Sequence, residues 1–176
     1  YDFTEIAIEL NRSERAIFNE LNLQGCFPRI RGDYKKRIKE CKYQNALLLI
    51  EAEDFSGAKG LLNELKGYNT DIETKLQICD YSIAKKYLDK GKYDKAEELF
   101  KELGDYGDSK EMIKECSYRK ALSFIEGKKY TEAIEILSTM KKYSEASEKI
   151  NEAKYLYVTE NLTSDNETTV KYLKEL

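Results

Sequence analysis

The chain has 176 residues, 41% hydrophobic and 36% charged, with 30 Lys+Arg against 33 Asp+Glu for a formal net charge of −3. It contains no histidine and one proline, which argues against the imidazole chemistry that general acid–base catalysis most often recruits. No run approaches the ~18 apolar residues of a membrane span, no secretory leader is visible, and interspersed Lys and Glu read as solvated helix faces.

Residues 1–33 form a module of distinct texture. Arg12, Arg15, Arg29, Arg31 and Arg37 fall within the first 37 residues together with Pro28, whereas only Arg119 lies beyond. Thr4 to Leu21 reads TEIAIELNRSERAIFNEL, with Ala7, Leu10, Asn11, Arg12, Ser13, Ile17 and Leu21 at the spacing of a short helical hairpin. Ala7 permits a close crossing, Leu10 and Ile17 form a small core, Asn11 takes the left-handed turn and Ser13 caps the second helix. This stretch resembles a homeodomain-like helix-turn-helix of the kind found in transposases and bacterial regulators. The resemblance implies DNA binding, with Glu14, Arg15, Phe18 and Asn19 facing a major groove. Arg29, Arg31, Lys35, Lys36 and Arg37 would then contact phosphates. The same residues also read as a divergent hairpin capping an array. Residues 23–33, with Gly25 and Pro28, form an irregular connector.

From residue 34 onward the chain repeats itself. Cys41, Cys79, Cys116 and Ala153 begin successive copies at intervals of 38, 37 and 37 residues. The next columns are Tyr43, Tyr81, Tyr118 and Tyr155, then Ala46, Ala84, Ala121 and Val158. Phe55, Tyr93, Tyr130 and Glu167 precede Ala58, Ala96, Ala133 and Val170, followed by Leu62, Phe100 and Leu137. Such a period marks stacked helical units, here 34–70, 71–107, 108–143 and a partial 144–176. Apolar positions at helical spacing predict a long helix and a short helix per copy. The expected helices include Lys35 to about Ala52, Ser56–Leu65, Ser109–Glu126, Thr131–Lys142 and Glu167–Leu176. Gly57 and Gly60 weaken the second of these. Gly104 stops one helix, while Thr70 or Asp71, and Asp108 or Ser109, are expected to cap the next ones. Tyr68, Tyr106 and Tyr143 are expected to wedge the turns between copies, their hydroxyls reaching water or backbone.

Ala84, Gly91, Tyr93, Ala96 and Phe100 follow the order of small, bend, aromatic, small and aromatic positions that resembles the tetratricopeptide repeat. The signature tryptophan and closing proline of that family are absent, and the period exceeds its usual ~34 residues. The resemblance implies an all-α solenoid of antiparallel helix pairs whose concave face binds a protein or peptide. On that face fall Tyr43, Tyr81, Tyr118 and Tyr155 with Gln44, Ser82 and Arg119.

Three of the four cysteines share one column and read as small buried hydrophobes; no CxxC pair is present, so a zinc site is not expected. No phosphate-binding loop or nucleophile elbow occurs, and no cofactor is expected. The resulting expectation is a non-enzymatic scaffold for protein or peptide binding. The rivals are a DNA-binding regulator using the N-terminal segment, and a plain spacer. The chain opens on Tyr1 and stops inside a predicted helix, which reads as a fragment; its location is open, leaning cytoplasmic.

Overall fold

The computed structural model describes residues 31–140, 144–162 and 166–176. Among these residues there are eight helices and no strand: α1 (Arg31–Glu51), α2 (Phe55–Glu64), α3 (Ile72–Asp89), α4 (Tyr93–Leu103), α5 (Ser109–Glu126), α6 (Tyr130–Thr139), α7 (Ser144–Glu160) and α8 (Glu167–Glu175). The expected N-terminal hairpin, Cys26 and Tyr143 lie outside the described residues. Helix α1 starts at Arg31 rather than Lys35, so the last residues of the expected connector are helical despite Gly32. Its C-terminal half carries the large apolar content, and packing of that half against α2 outweighs the weak helix preference of a single glycine.

The chain divides into two compact units, one ending at Cys79 and the other running from Asp80 to Leu176. In the first, Ala46 of α1, Ala58, Leu62 and Leu65 of α2, and Ile72, Leu76 and Cys79 of α3 form one core, lined by Tyr43, Leu49 and Phe55. Leu62, Leu65 and Ile72 are essentially fully buried, each worth about 1.5–3 kcal/mol of transfer free energy. Ala46 and Ala58 have no exposed surface, as expected where two helices cross closely.

The second unit holds three cores in succession. Ala84 and Leu88 of α3, Ala96 and Phe100 of α4, and Cys116 of α5 form the first. Ala121 of α5, Ala133 and Leu137 of α6, and Ala146 of α7 form the next. Ile134, Ala153, Val158 and Tyr172 close the third between α6, α7 and α8. Helices α5 and α7 therefore each serve two cores, with their N-terminal and C-terminal halves.

One turn is built three times. Glu53, Gly91 and Lys128 all take left-handed backbone conformations, with φ of 58°, 69° and 60°. In each case the next residue's N–H donates five residues back: Asp54 to Leu49, Lys92 to Tyr87 and Lys129 to Phe124, all at 2.8 Å. Gly91 fits the glycine bend expected from the sequence; at the other two turns a non-glycine residue holds the same geometry at some strain.

Gly104 ends α4 as expected, and Asp108 takes the expected N-cap position of α5, but the capping hydrogen bonds differ. Asp54 accepts the Gly57 N–H at 3.0 Å and starts α2, a role not read from the sequence. Asp108 occupies the N-cap position of α5 without accepting a helix N–H, because its carboxylate takes the Tyr81 hydroxyl instead. Ser109, fully buried, donates its hydroxyl to the Tyr106 carbonyl at 2.5 Å. Asn166 caps α8 by accepting the Thr169 N–H at 2.7 Å.

Candidate partner-binding site

The tyrosine column is largely engaged by the protein itself. Tyr43 is half-buried and donates its hydroxyl to Asp71 Oδ2 at 2.5 Å, immediately ahead of α3. Tyr81 makes the equivalent bond to Asp108 and packs edge-on against Phe100 and Tyr106, with ring centroids 5.7 and 5.8 Å away. The hydrogen bond to a carboxylate, reinforced by partial burial, pushes both phenols up to about 12. Tyr118 is half-buried against the core of α5, α6 and α7. Tyr155, at 60% exposed, is the one member of the column that stands open.

The neighbouring column is mixed. Gln44 is exposed and donates to Glu40 at 2.9 Å. Ser82 is half-buried. Arg119 donates to Glu115 at 2.6 Å and lies 3.7 Å from Asp89, and the Glu115 hydrogen bond raises its pKa further. Tyr68 does not reach water or backbone as expected; its hydroxyl donates to Glu40 at 2.6 Å, which raises the phenol and lowers the carboxyl.

Of the residues read as DNA contacts, Lys35, Lys36 and Arg37 stand exposed on α1, and Arg31 belongs to its first turn. Arg15, Asn19 and Arg29 lie outside the described residues. Cys79 and Cys116 are fully buried, whereas Cys41 in the same column is only partly buried. Burial pushes the Cys116 thiol up to about 11, away from the thiolate form needed for reactivity.

An open concavity lies elsewhere. The turn through Gly91 and Lys92 delivers the first turn of α4 beside the C-terminal half of α5. Gly91, Lys92, Tyr93, Asp94 and Lys95 then face Lys120, Ser123 and Phe124 across a groove of about 730 Å³. Lys92 is the N-cap residue of α4 and provides no side-chain acceptor, so the first amides of α4 depend on solvent or a ligand. Lys120 Nζ lies 2.5 Å from Asp94 Oδ1 and 6.0 Å from the Phe124 ring centre, while Lys129 covers the same ring at 5.8 Å. Three lysines against one aspartate leave the groove positive, with an aromatic floor. No protein-family model, curated protein or solved structure matches this chain.

The groove must therefore be read from its own chemistry. Among the described residues no cluster of histidine, cysteine, aspartate and glutamate is arranged to hold a metal ion, and no helix is long and apolar enough to cross a membrane. In the sequence Lys92, Lys95 and Lys120 belong to the interspersed charges that read as solvated helix faces, and Phe124 carries no signal of its own. The signal was the lysine directly ahead of the aromatic residue opening a short helix, in Gly91-Lys92-Tyr93 and again in Lys128-Lys129-Tyr130.

Proposed function

We propose that this chain is a non-enzymatic helical-repeat module, an α-solenoid of antiparallel pairs similar to tetratricopeptide arrays, that holds a segment of another protein. The observation carrying this reading is the groove between α4 and α5. It combines the open N-terminus of α4, Lys92, Lys95 and Lys120 with the ring of Phe124. Cations and free amides favour carboxylates, and an aromatic floor takes an apolar side chain with little loss of conformational entropy. The fitting partner is an acidic segment carrying an apolar anchor. Tyr43 and Tyr81 act mainly within the protein, each holding an aspartate beside the start of the next helix.

The test is fluorescence anisotropy with a labelled peptide of alternating glutamate and leucine, set against its lysine–leucine counterpart. Saturable binding of the acidic peptide alone, weakened by Lys92→Glu and Lys120→Glu, is the expected result. Equal binding of both peptides, or indifference to both substitutions, overturns the reading. A parallel titration with duplex DNA tests the rival role: salt-dependent affinity lost on changing Arg15, Arg29 and Arg31 would place DNA first.

A further inference from the structure

The turn that opens the groove is closed in the following copy. Thirty-seven residues beyond Gly91, Tyr93 and Ser123 stand Lys128, Tyr130 and Glu160. There Glu160, the last residue of α7, accepts hydrogen bonds through one oxygen, Oε1, from the Lys128 ammonium at 2.8 Å and the Tyr130 hydroxyl at 3.0 Å. The Lys128 contact holds the Glu160 carboxyl below its ordinary range, so the group is an anion. Tyr130 is buried beneath this contact, at 5% exposed.

Between α4 and α5 both members of that ion pair are replaced. Position 91 is a glycine, and position 123 is a serine whose hydroxyl turns back to the Lys120 carbonyl at 2.7 Å. Tyr93 is only half-buried, and its hydroxyl borders the space above Gly91, 3.8 Å from where a β-carbon would stand. That hydroxyl has no hydrogen-bond partner among the described residues. The charges around it have also changed. Lys95 and Lys120 occupy the positions of Glu132 and Tyr157 and line the groove with Lys92 and Tyr93. Asp94, in place of Thr131, answers Lys120 from a largely exposed position. The tyrosine has lost its carboxylate and gained cations.

We infer that Tyr93 marks a seat for a side-chain carboxylate of the bound segment, which accepts the Tyr93 hydroxyl as Glu160 accepts that of Tyr130. Lys92, Lys95 and Lys120 supply the positive charge that Lys128 supplies in the closed copy. The seat rests on the groove's proposed role of holding an acidic segment, and it adds the group that reads the acid. Lysines attract any anion within a Debye length, whereas a hydroxyl donating to an ionised acceptor makes a short, directed bond. Tyr93 therefore fixes where along the groove an acidic side chain of the segment comes to rest. The closed copy also shows that such a seat can be filled from within, by a carboxylate on the long helix at position 123.

The probe is the labelled glutamate–leucine peptide with an amidated C-terminus, so that only side chains offer carboxylates. Tyr93→Phe keeps the ring packing, removes one hydrogen bond and should weaken binding about three- to tenfold. Ser123→Glu fills the seat from within and should weaken it about tenfold or more. With the seat filled, Tyr93→Phe should cost nothing further. A second measurement needs no peptide: Ser123→Glu should raise the urea midpoint, and adding Tyr93→Phe should shrink that gain, a coupling that a double-mutant cycle reads directly. Binding that responds to Lys92→Glu and Lys120→Glu but not to Tyr93→Phe overturns the seat and leaves the groove's role standing. Additive losses for Tyr93→Phe and Ser123→Glu, or an uncoupled urea cycle, do the same. Failure of the parent protein to bind the acidic peptide overturns both.

Discussion

Tyr43 donates its hydroxyl to Asp71 at 2.5 Å, joining a residue in the middle of α1 to the one that launches α3. The bond closes a span of 28 residues and sits above the core that α1, α2 and α3 share. Removing the hydroxyl with Tyr43→Phe keeps the ring packing and leaves the carboxylate to water. The expected loss is about 0.5–1.5 kcal/mol, read as a lower urea midpoint with unchanged slope. Tyr81→Phe should behave alike through Asp108.

The same two bonds set an alkaline limit. Both phenols rise from an ordinary 10 to about 12 in the folded protein. Between those values the folded state retains protons that the unfolded chain has released, so stability falls as pH rises through this window. Below the ordinary value the contribution is fully present. Urea midpoints measured across the window should drop more steeply for the parent than for the Tyr43→Phe, Tyr81→Phe double variant, and phenolate absorbance should show two late-titrating groups that the double variant lacks.

Core geometry predicts opposite kinds of damage at neighbouring positions of α4. Phe100 is fully buried against Tyr81 and the α5 contacts, so Phe100→Ala should cost about 3–5 kcal/mol. Ala96 has no exposed surface, so Ala96→Leu must push helices apart, at about 1–3 kcal/mol. Thermal or urea unfolding separates these from a surface control such as Leu48→Ala, since Leu48 is 61% exposed.

Two glycines should respond with opposite signs. Gly91 has φ of +69°, and an added Cβ would meet nothing closer than the Tyr93 hydroxyl at 3.8 Å, so Gly91→Ala carries backbone strain alone, about 1 kcal/mol. Gly60 is exposed within α2, and a Cβ there meets nothing within 4 Å. Gly60→Ala should stabilise by about 0.4–1 kcal/mol. The adjacent Gly57→Ala should gain less, because the added Cβ would fall 2.5 Å from the Asp54 carboxylate that caps the helix.

Much of the helical layout was legible beforehand. Repeating Ala84, Ala96 and Phe100 marked buried positions, and the expected span Ser109–Glu126 is α5 itself. What was not legible concerns side chains with two available uses. Asp108 looked like a cap, but an adjacent phenol in a half-buried setting competes for its carboxylate better than a solvated backbone amide does. The tyrosine column alone does not show which of its members meet an aspartate, as Tyr43 and Tyr81 do. Lys92 and Lys120 line one groove only because the first turn of α4 meets the C-terminal half of α5, a tertiary event invisible to local spacing.

The groove's ion pair gives a further contrast. Asp94 is largely exposed where it meets Lys120, so breaking the pair should change stability by less than about 1 kcal/mol. Binding should respond more clearly. Asp94→Asn removes a repelling charge and should tighten the acidic peptide, and Lys120→Met should weaken it, each by up to about fivefold. Anisotropy on both variants, with urea curves alongside, checks the pair.

In the second unit, α5 gives Met112, Ile113 and Cys116 to one core and Ala121, Phe124 and Ile125 to the next. Helix α7 likewise gives Ala146 and Ile150 to one, then Ala153 and Val158 to another. Cores threaded on common helices open like a zipper: losing one strips half the support from its neighbour, and the weakest tooth is the one with a single neighbour. Amide hydrogen exchange should then be slowest around the middle core, in the C-terminal half of α5 and in α6, where a core stands on each side.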